Sequence, residues 1–456
     1  MNNVAVLNIV GLTERLLGSD ATPFLNKWSK NRIQHVKPLL PAVTCSVQAT
    51  YLTGKWPNEH GIIGNGWFHK DYQEIKFWHQ SNKLIQSPLI WDELKRENPE
   101  FTCANMFWWF NMYSSVDYSV TPRPQYRSDG LKIPDCYSEP ANLRDELQTS
   151  LGQFPLFNFW GPKTSIKSSE WIADASLIIH DNYHPNLMFI YIPHLDYVLQ
   201  KYGPNTPECD KNLQEIDDLC KKLINSLESD GRTVIALSEY GITPVNHPIH
   251  INRTLRELGY LNVRVENGKE LLDAGASDAF AVCDHQIAHI YIKKSSDIDK
   301  ISEKLAENAY ISTILAKNEQ KQHHINHDRA GDLILVSQPD SWFSYYYWEN
   351  DEKAPDFART VAIHNKPGYD PIELFFDPKK RFIYPRLISK LIKKKLGFRT
   401  LMDVIPLEAS LAKGSHGQLN VESLDEPIII GSRHQNNNLS PIEIKQLLKE
   451  AVLFSN

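Results

Sequence analysis

Residues able to attack an electrophile, move a proton or hold a cation fall in a few short stretches of this chain. In "LLPAVTCSVQATYLTG", Thr44 stands where a loop meets a helical pattern that ends at Gly54. A helix N-terminus presents unpaired N–H groups and the positive end of the dipole. A phosphate oxygen is a natural occupant there, and a hydroxyl ionised by an adjacent metal could attack its phosphorus. The plainer alternative is that Thr44 only caps the helix. Further along, "PHLDYVLQKYGP" carries His194, Asp196 and Gln200, and "LSEYG" carries Glu239 and Tyr240. Asp284 and His285 in "VCDHQ", His364 in "AIHNKPGYDP" and His416 in "GSHGQ" add imidazoles and a carboxylate, donor types that suit zinc. The histidines of "QHHINH", His323, His324 and His327, sit in a polar stretch and read as solvated.

These residues need a scaffold that brings distant stretches to one place. Apolar, β-branched runs occur at "NVAVLNIVG", "NLMFIYIPH", "RTVIALSEYG", "IAHIYIKK" and "GDLILVSQP", with helical patterns between several of them. Strands alternating with helices predict an α/β fold with a mostly parallel sheet covered on both faces. In such sheets ligands gather beyond the carboxyl ends of the strands. Three of those ends are "GLT" after the first run, "PHLD" after "LMFIYI" and "SEYG" after "VIAL". Between residues 252 and 345 the texture shifts to a small α+β excursion. The expected organisation is a core of 1–251 and 346–456 carrying an inserted cap of 252–345.

The order of Pro41, Thr44, Thr53-Gly54, Pro57, His60-Gly61-Ile62 and Asn65 resembles the nucleotide pyrophosphatase/phosphodiesterase (type I phosphodiesterase) branch of the alkaline phosphatase superfamily. Phosphonoacetate hydrolase shares that scaffold. The resemblance implies a three-layer αβα sandwich, Thr44 as nucleophile and Asn65 on a phosphate oxygen. It also implies divalent metal, zinc or alternatively manganese, as one or two ions. Asp196 ahead of Gly203-Pro204 and the late pair His416-Gly417 match the family's metal-ligand pattern, with His364 a rival for the second role. Elsewhere the pattern departs. Gln200 stands where the family has His, Val10 where it has Asp, and Glu239-Tyr240 where it has Asp-His. Glu239 keeps a carboxylate, whereas Tyr240 cannot replace an imidazole but could hold a phosphate. His285 is a candidate substitute ligand. Asn8, Gln200 and His194 are candidate substrate contacts near the same strand ends; Asn8 and His194 share a strand face with their neighbours by period-two geometry. The site could then carry one metal, be ligated by residues the family does not use, or bind without catalysis.

The function so implied is metal-dependent hydrolysis of a small-molecule phosphoric ester. A phosphonate or sulfate ester hydrolase and a degenerate phosphate-binding protein are the alternatives. With 456 residues, 41% hydrophobic and 23% charged, the composition is that of a globular protein. A net charge of -6 gives no global field for nucleic acid. No apolar run is long enough to span a bilayer. The opening "MNNVAVLNIVGL" reads as a strand, and six scattered cysteines read as reduced thiols, so a cytoplasmic location is expected. "WFSYYYW" is dense enough in rings that some should line a pocket mouth. Lys379 to Arg399 carries nine Lys or Arg. It reads as a solvated amphipathic helix or, alternatively, as a contact for a membrane surface or acidic partner.

Overall fold

The computed structural model describes residues 1–128, 131–432 and 438–454. The apolar runs become strands. In chain order they are β1 (Val4–Ile9), β2 (Ile33–Val36), β3 (Cys103–Met106), β4 (Tyr118–Pro122), β5 (Cys136–Glu139), β6 (Leu187–Ile192) and β7 (Thr233–Leu237). Next come β8 (Ala279–Asp284), β9 (Ile287–Ile292), β10 (Ile311–Leu315) and β11 (Leu333–Ser337) of a second sheet. Last are β12 (Ile428–Ile430) and β13 (Asn438–Leu439), which return to the first. The main sheet has nine strands in the order β13-β2-β12-β7-β1-β6-β3-β4-β5. Its central run from β7 to β4 is parallel, and β12 and β5 join it antiparallel.

Every residue of β1 and β6 is buried. Side chains alternate along a strand, so both faces of the sheet must be covered. The helices that matter here are α1 (Thr44–Thr53), α2 (Lys167–Tyr183), α3 (His194–Tyr202), α4 (Pro207–Ser229), α5 (Ile383–Lys395) and α6 (Ile444–Leu453). Helix α4 shows why such segments fold as they do. Thr206 accepts a hydrogen bond from the Cys209 amide, Pro207 opens the first turn, and Leu213, Ile216, Cys220, Leu223 and Leu227 form one buried stripe. It packs on α2, α3 and β7, while α6 packs on α1.

The register sets the ends of β1, β6 and β7 side by side, with Asn8 opposite both Tyr191 and Leu237. After β1 the chain turns at Gly11, whose φ is +82° and where a Cβ would meet Leu199 Cδ1 at 3.1 Å. The second sheet is antiparallel, in the order β8-β9-β11-β10. Its core also takes rings from "WFSYYYW". All six of them, from Trp342 to Trp348, are buried. None borders the large cavity described below, so the expectation that some would line its mouth is corrected.

Candidate active site

Helix α1 is buried over all ten residues although half of its side chains are polar. Two hydroxyls bond within the helix, Thr50 Oγ1 to the Ser46 carbonyl (2.9 Å) and Thr53 Oγ1 to the Ala49 carbonyl (2.6 Å), while Ser46 Oγ is buried without a partner. His60 accepts from the Ile62 amide at Nδ1 and meets Thr50 Oγ1 at 2.9 Å through Nε2, which ties the "HGI" turn to the helix. Thr44 does neither. It is the first helical residue, and Val43, which holds the cap position, offers no side-chain hydrogen bond. Thr44 Oγ1 lies 2.9 Å from the Tyr240 hydroxyl instead.

Tyr240 donates to Asp196 Oδ1 (3.2 Å), so the proton of the Thr44–Tyr240 bond comes from Thr44. Gln200 Nε2 donates to Asp196 Oδ2 (2.8 Å) and its Oε1 accepts from the Tyr369 hydroxyl (2.7 Å). Burial pushes the Asp196 carboxyl up to about 7, against the opposing pull of the Gln200 and Tyr240 bonds. Glu239 is within reach of the Thr44 hydroxyl too, but its main partners are amides. Its Oε1 accepts from Asn8 Nδ2 (2.5 Å) and Gln48 Nε2 (2.6 Å), and Gln48 Oε1 accepts from the Trp109 amide (2.7 Å). Burial raises Glu239 to about 8 despite those amides.

Asn65 anchors the start of α1. Its Oδ1 accepts from the Cys45 amide (3.0 Å), while Nδ2 and the backbone N donate to the two oxygens of Asp284 (3.0 and 2.7 Å). Asp284 ends β8, and His285 follows in the tight turn to β9 with φ +60°. Its ring stacks on Tyr369 (centroids 3.6 Å) and lies 3.8 Å from the His416 ring. Burial holds both imidazoles neutral: it lowers His416 to about 3 and His285 well below the usual range.

A cavity of about 440 Å³ opens above these groups. Thr44, Asp196, Tyr240 and His285 lie on its polar side. Trp78, Trp109, Trp160, Tyr197, Phe159 and Tyr369 form an aromatic wall. These rings come from separate segments, which is why no single aromatic run in the sequence announced them.

The donor set can be tested against a cation. His416 Nδ1 is 2.7 Å from the Ala42 carbonyl, which can only accept, so the lone pair is on Nε2. That Nε2 has no hydrogen-bond partner and lies 3.7 Å from Asp196 Oδ1. His285 Nδ1 faces Asp284 Oδ1 at 3.3 Å, and its Nε2 is likewise buried without a partner. A carboxylate behind an imidazole is how a histidine ligand is oriented. Two neutral imidazoles with bare lone pairs beside a carboxylate are the donor types one divalent cation takes, although the ligand atoms of Asp196, His285 and His416 do not all lie within 4.8 Å of one another here. They do not fit two: Val10 has no donor, Tyr240 is bonded to Thr44 and Asp196, and both ends of the Gln200 amide are engaged. Among the described residues, the one group of three such ligand atoms within 4.8 Å of each other is His180, Asp181 and Asp230. It lies at the opposite edge of the sheet, near Arg232, which bonds the Val4 carbonyl.

The structure therefore gathers Thr44, Asn65, Asp196, Gln200, Glu239, Tyr240, His285, His416 and Asn8. Two residues fall outside. His194 does not continue a strand; it opens α3 and turns to Asn212 Oδ1 (2.7 Å) and Glu215 on α4. His364 borders the cavity but faces the Phe77 carbonyl (3.3 Å), not Asp196. Asn8 donates Nδ2 to Glu239, while its Oδ1 is buried without a partner. Gln48 and Tyr369 were missed. Gln48 is one turn after Thr44 and so shares its helix face, a usable signal; nothing in "KPGYDP" marks Tyr369.

The sequence profile of the type I phosphodiesterase / nucleotide pyrophosphatase family matches residues 4–370. An uncharacterised pyrophosphatase/phosphodiesterase of Schizosaccharomyces pombe is 26% identical over 257 residues, 54% of this chain and 46% of that protein. The match thus spans less than half of the yeast protein's length. Among solved structures, phosphonoacetate hydrolase of Sinorhizobium meliloti bound to phosphonoformate superposes with a TM-score of 0.62 at 15% identity, over 99% of this chain and 96% of that one. Murine ectonucleotide pyrophosphatase/phosphodiesterase 5, in an inactive threonine-to-alanine form with AMP, gives 0.57 at 14% identity, over 100% and 96%. Both share the α/β sandwich seen here.

Proposed function

The chain belongs to the type I phosphodiesterase / nucleotide pyrophosphatase family, and on that premise we propose that it hydrolyses a small-molecule phosphoric ester with Thr44 as nucleophile. One observation carries this reading. Thr44 heads a ten-residue helix at the floor of the cavity, and its hydroxyl is bonded to Tyr240, which is bonded to Asp196. Because Thr44 donates to Tyr240, its Oγ1 lone pairs are free to face phosphorus. As the oxygen attacks, its proton has a hydrogen-bonded path through the Tyr240 hydroxyl to Asp196. With no cation bound, burial holds that carboxyl up at about 7, a range that suits a proton acceptor at neutral pH. The α1 N-terminus favours the phosphoryl charge, and Asn65 positions that terminus through Cys45 and Asp284. A divalent cation, zinc or manganese, held by Asp196, His285 and His416 would supply Lewis-acid stabilisation of the transferring group. The aromatic wall would receive an apolar or ring-bearing leaving group.

The murine neighbour is inactive in a threonine-to-alanine form, so a threonine matters on that scaffold, and the bacterial neighbour keeps phosphonates within the substrate range. Six unpaired cysteines accord with a reducing, cytoplasmic setting. The net charge of -6 argues against nucleic acid as partner. Val10, Gln200 and Tyr240, at positions where the family carries metal ligands, favour a second reading: a phosphate-ligand-binding protein without turnover. The deciding experiment is turnover of a panel of aryl phosphate mono- and diesters and phosphonoacetate, with zinc, manganese or magnesium. A wild type inert on every ester, yet showing calorimetric phosphate binding, would leave the binding reading in place.

A further inference from the structure

We propose that the segment Phe382 to Leu401 docks on an anionic membrane surface and sets the cavity mouth against it. The helix at its centre, α5, is unusual for this molecule: of its thirteen residues only Leu387 is buried. Tyr384, Ile388, Ile392 and Leu396 follow one another at intervals of four, which places them along one side of the helix. They are 62%, 57%, 54% and 68% exposed. Phe382, Phe398 and Leu401 extend the same apolar exposure beyond the helix ends. Scattered apolar residues on a surface call for no explanation, but a contiguous row does.

The charge around that row is of one sign. From Lys379 to Arg399 there are nine basic residues and no acidic one. Lys379, Lys380 and Lys390 are paired with Glu408, Asp377 and Asp403. Arg381, Arg386, Lys393, Lys394, Lys395 and Arg399 make no ion pair among the described residues. The remainder of the chain is acidic enough to bring the total to -6, so the cationic field is local. An apolar row flanked by unpaired Lys and Arg is the pattern of a helix that lies in a bilayer interface, and the charge selects anionic lipid. An acidic protein would match the charge but leaves the extended apolar row without an evident groove.

The side of α5 turned toward the cavity has its own role. Leu387, Leu391 and Lys394 line the cavity, together with Met402 and Val404 from the irregular segment that follows. The same helix therefore forms the lip of the pocket that holds Thr44 and carries the exposed row. Among the described residues no helix is long and apolar enough to cross a membrane, so contact through α5 is peripheral. The docking does not depend on whether Thr44 turns over an ester.

The test is co-sedimentation of the full chain with vesicles of phosphatidylcholine alone or mixed with phosphatidylserine, at low and high salt. The proposal expects binding to the mixed vesicles, weakened by salt, and little binding to phosphatidylcholine. Ile388→Glu/Ile392→Glu and Lys393→Glu/Lys395→Glu should each lower the partition by about tenfold or more. Ile388, Ile392 and Lys393 lie outside the cavity lining and both apolar positions are exposed, so an unchanged melting temperature checks that folding is intact. Absence of binding to the mixed vesicles would overturn the proposal. So would equal binding by wild type and both variants, or an apolar row that proves to mediate self-association without vesicle binding.

Discussion

The Tyr240 ring lies flat on the His416 imidazole, with centroids 3.6 Å apart and planes within 6°. The two side chains come from segments more than 170 residues apart and flank Asp196 together, one through its hydroxyl and one through Nε2. Tyr240→Phe keeps the stack and removes only the oxygen. If the hydroxyl carries the Thr44 proton, kcat should fall about 100-fold with KM little changed. Steady-state kinetics on an aryl phosphate checks this; a kcat within about twofold of wild type would remove Tyr240 from the proton path.

Thr44→Ala should abolish turnover while the fold survives, since one buried hydrogen bond is worth only about 1 kcal/mol. Thr44→Ser should retain part of the rate, because it keeps both the hydroxyl and the helix terminus. Mass spectrometry of acid-quenched wild type should find a phosphate ester on Thr44. Equal rates in wild type and Thr44→Ala would end the assignment.

Cation binding separates the histidines. Asp196→Ala, His285→Ala and His416→Ala should each weaken zinc or manganese binding by at least about tenfold, whereas His364→Ala and His194→Ala should leave it unchanged. Gln200→His restores the family's residue beside Asp196 and should tighten binding. Isothermal calorimetry on the purified variants reads all six; indifference of the first three would dismiss the site.

Glu239 gives a pH signature of stability. Burial raises its folded pKa to about 8 from an unfolded value near 4.5. The folded state therefore holds a proton that the unfolded state has lost, and stability falls as pH rises between those two values. Glu239→Gln removes the titration. The variant should melt several degrees above wild type at pH 9 and alongside it at pH 4.5, both without added metal. Parallel melting curves across that range would show that Glu239 does not titrate there.

The chain by itself determined much of the layout. Runs such as "VAVLNI" and "LMFIYI" are apolar without interruption, and such runs are stable only as central strands covered on both faces. The same pattern puts Asp196 and Glu239 at the carboxyl edge of the sheet. The ordered motif around Thr44 pointed to the family. Tertiary structure decided what the local pattern could not carry. Period-two reasoning extended a strand through His194, but the chain enters a helix there and the side chain turns to α4. Asn65 was expected on a phosphate oxygen, yet its amide is taken up by Cys45 and Asp284, a pairing that spans 219 residues. Packing also chose which rings line the cavity, because burial of "WFSYYYW" depends on the second sheet and not on its own sequence. Hydrophobic period and chain order are local properties, so a sequence displays them. His285 faces its own chain neighbour Asp284, but the lone pair of His416 is set by the Ala42 carbonyl, 374 residues away, and only the folded chain brings those two together.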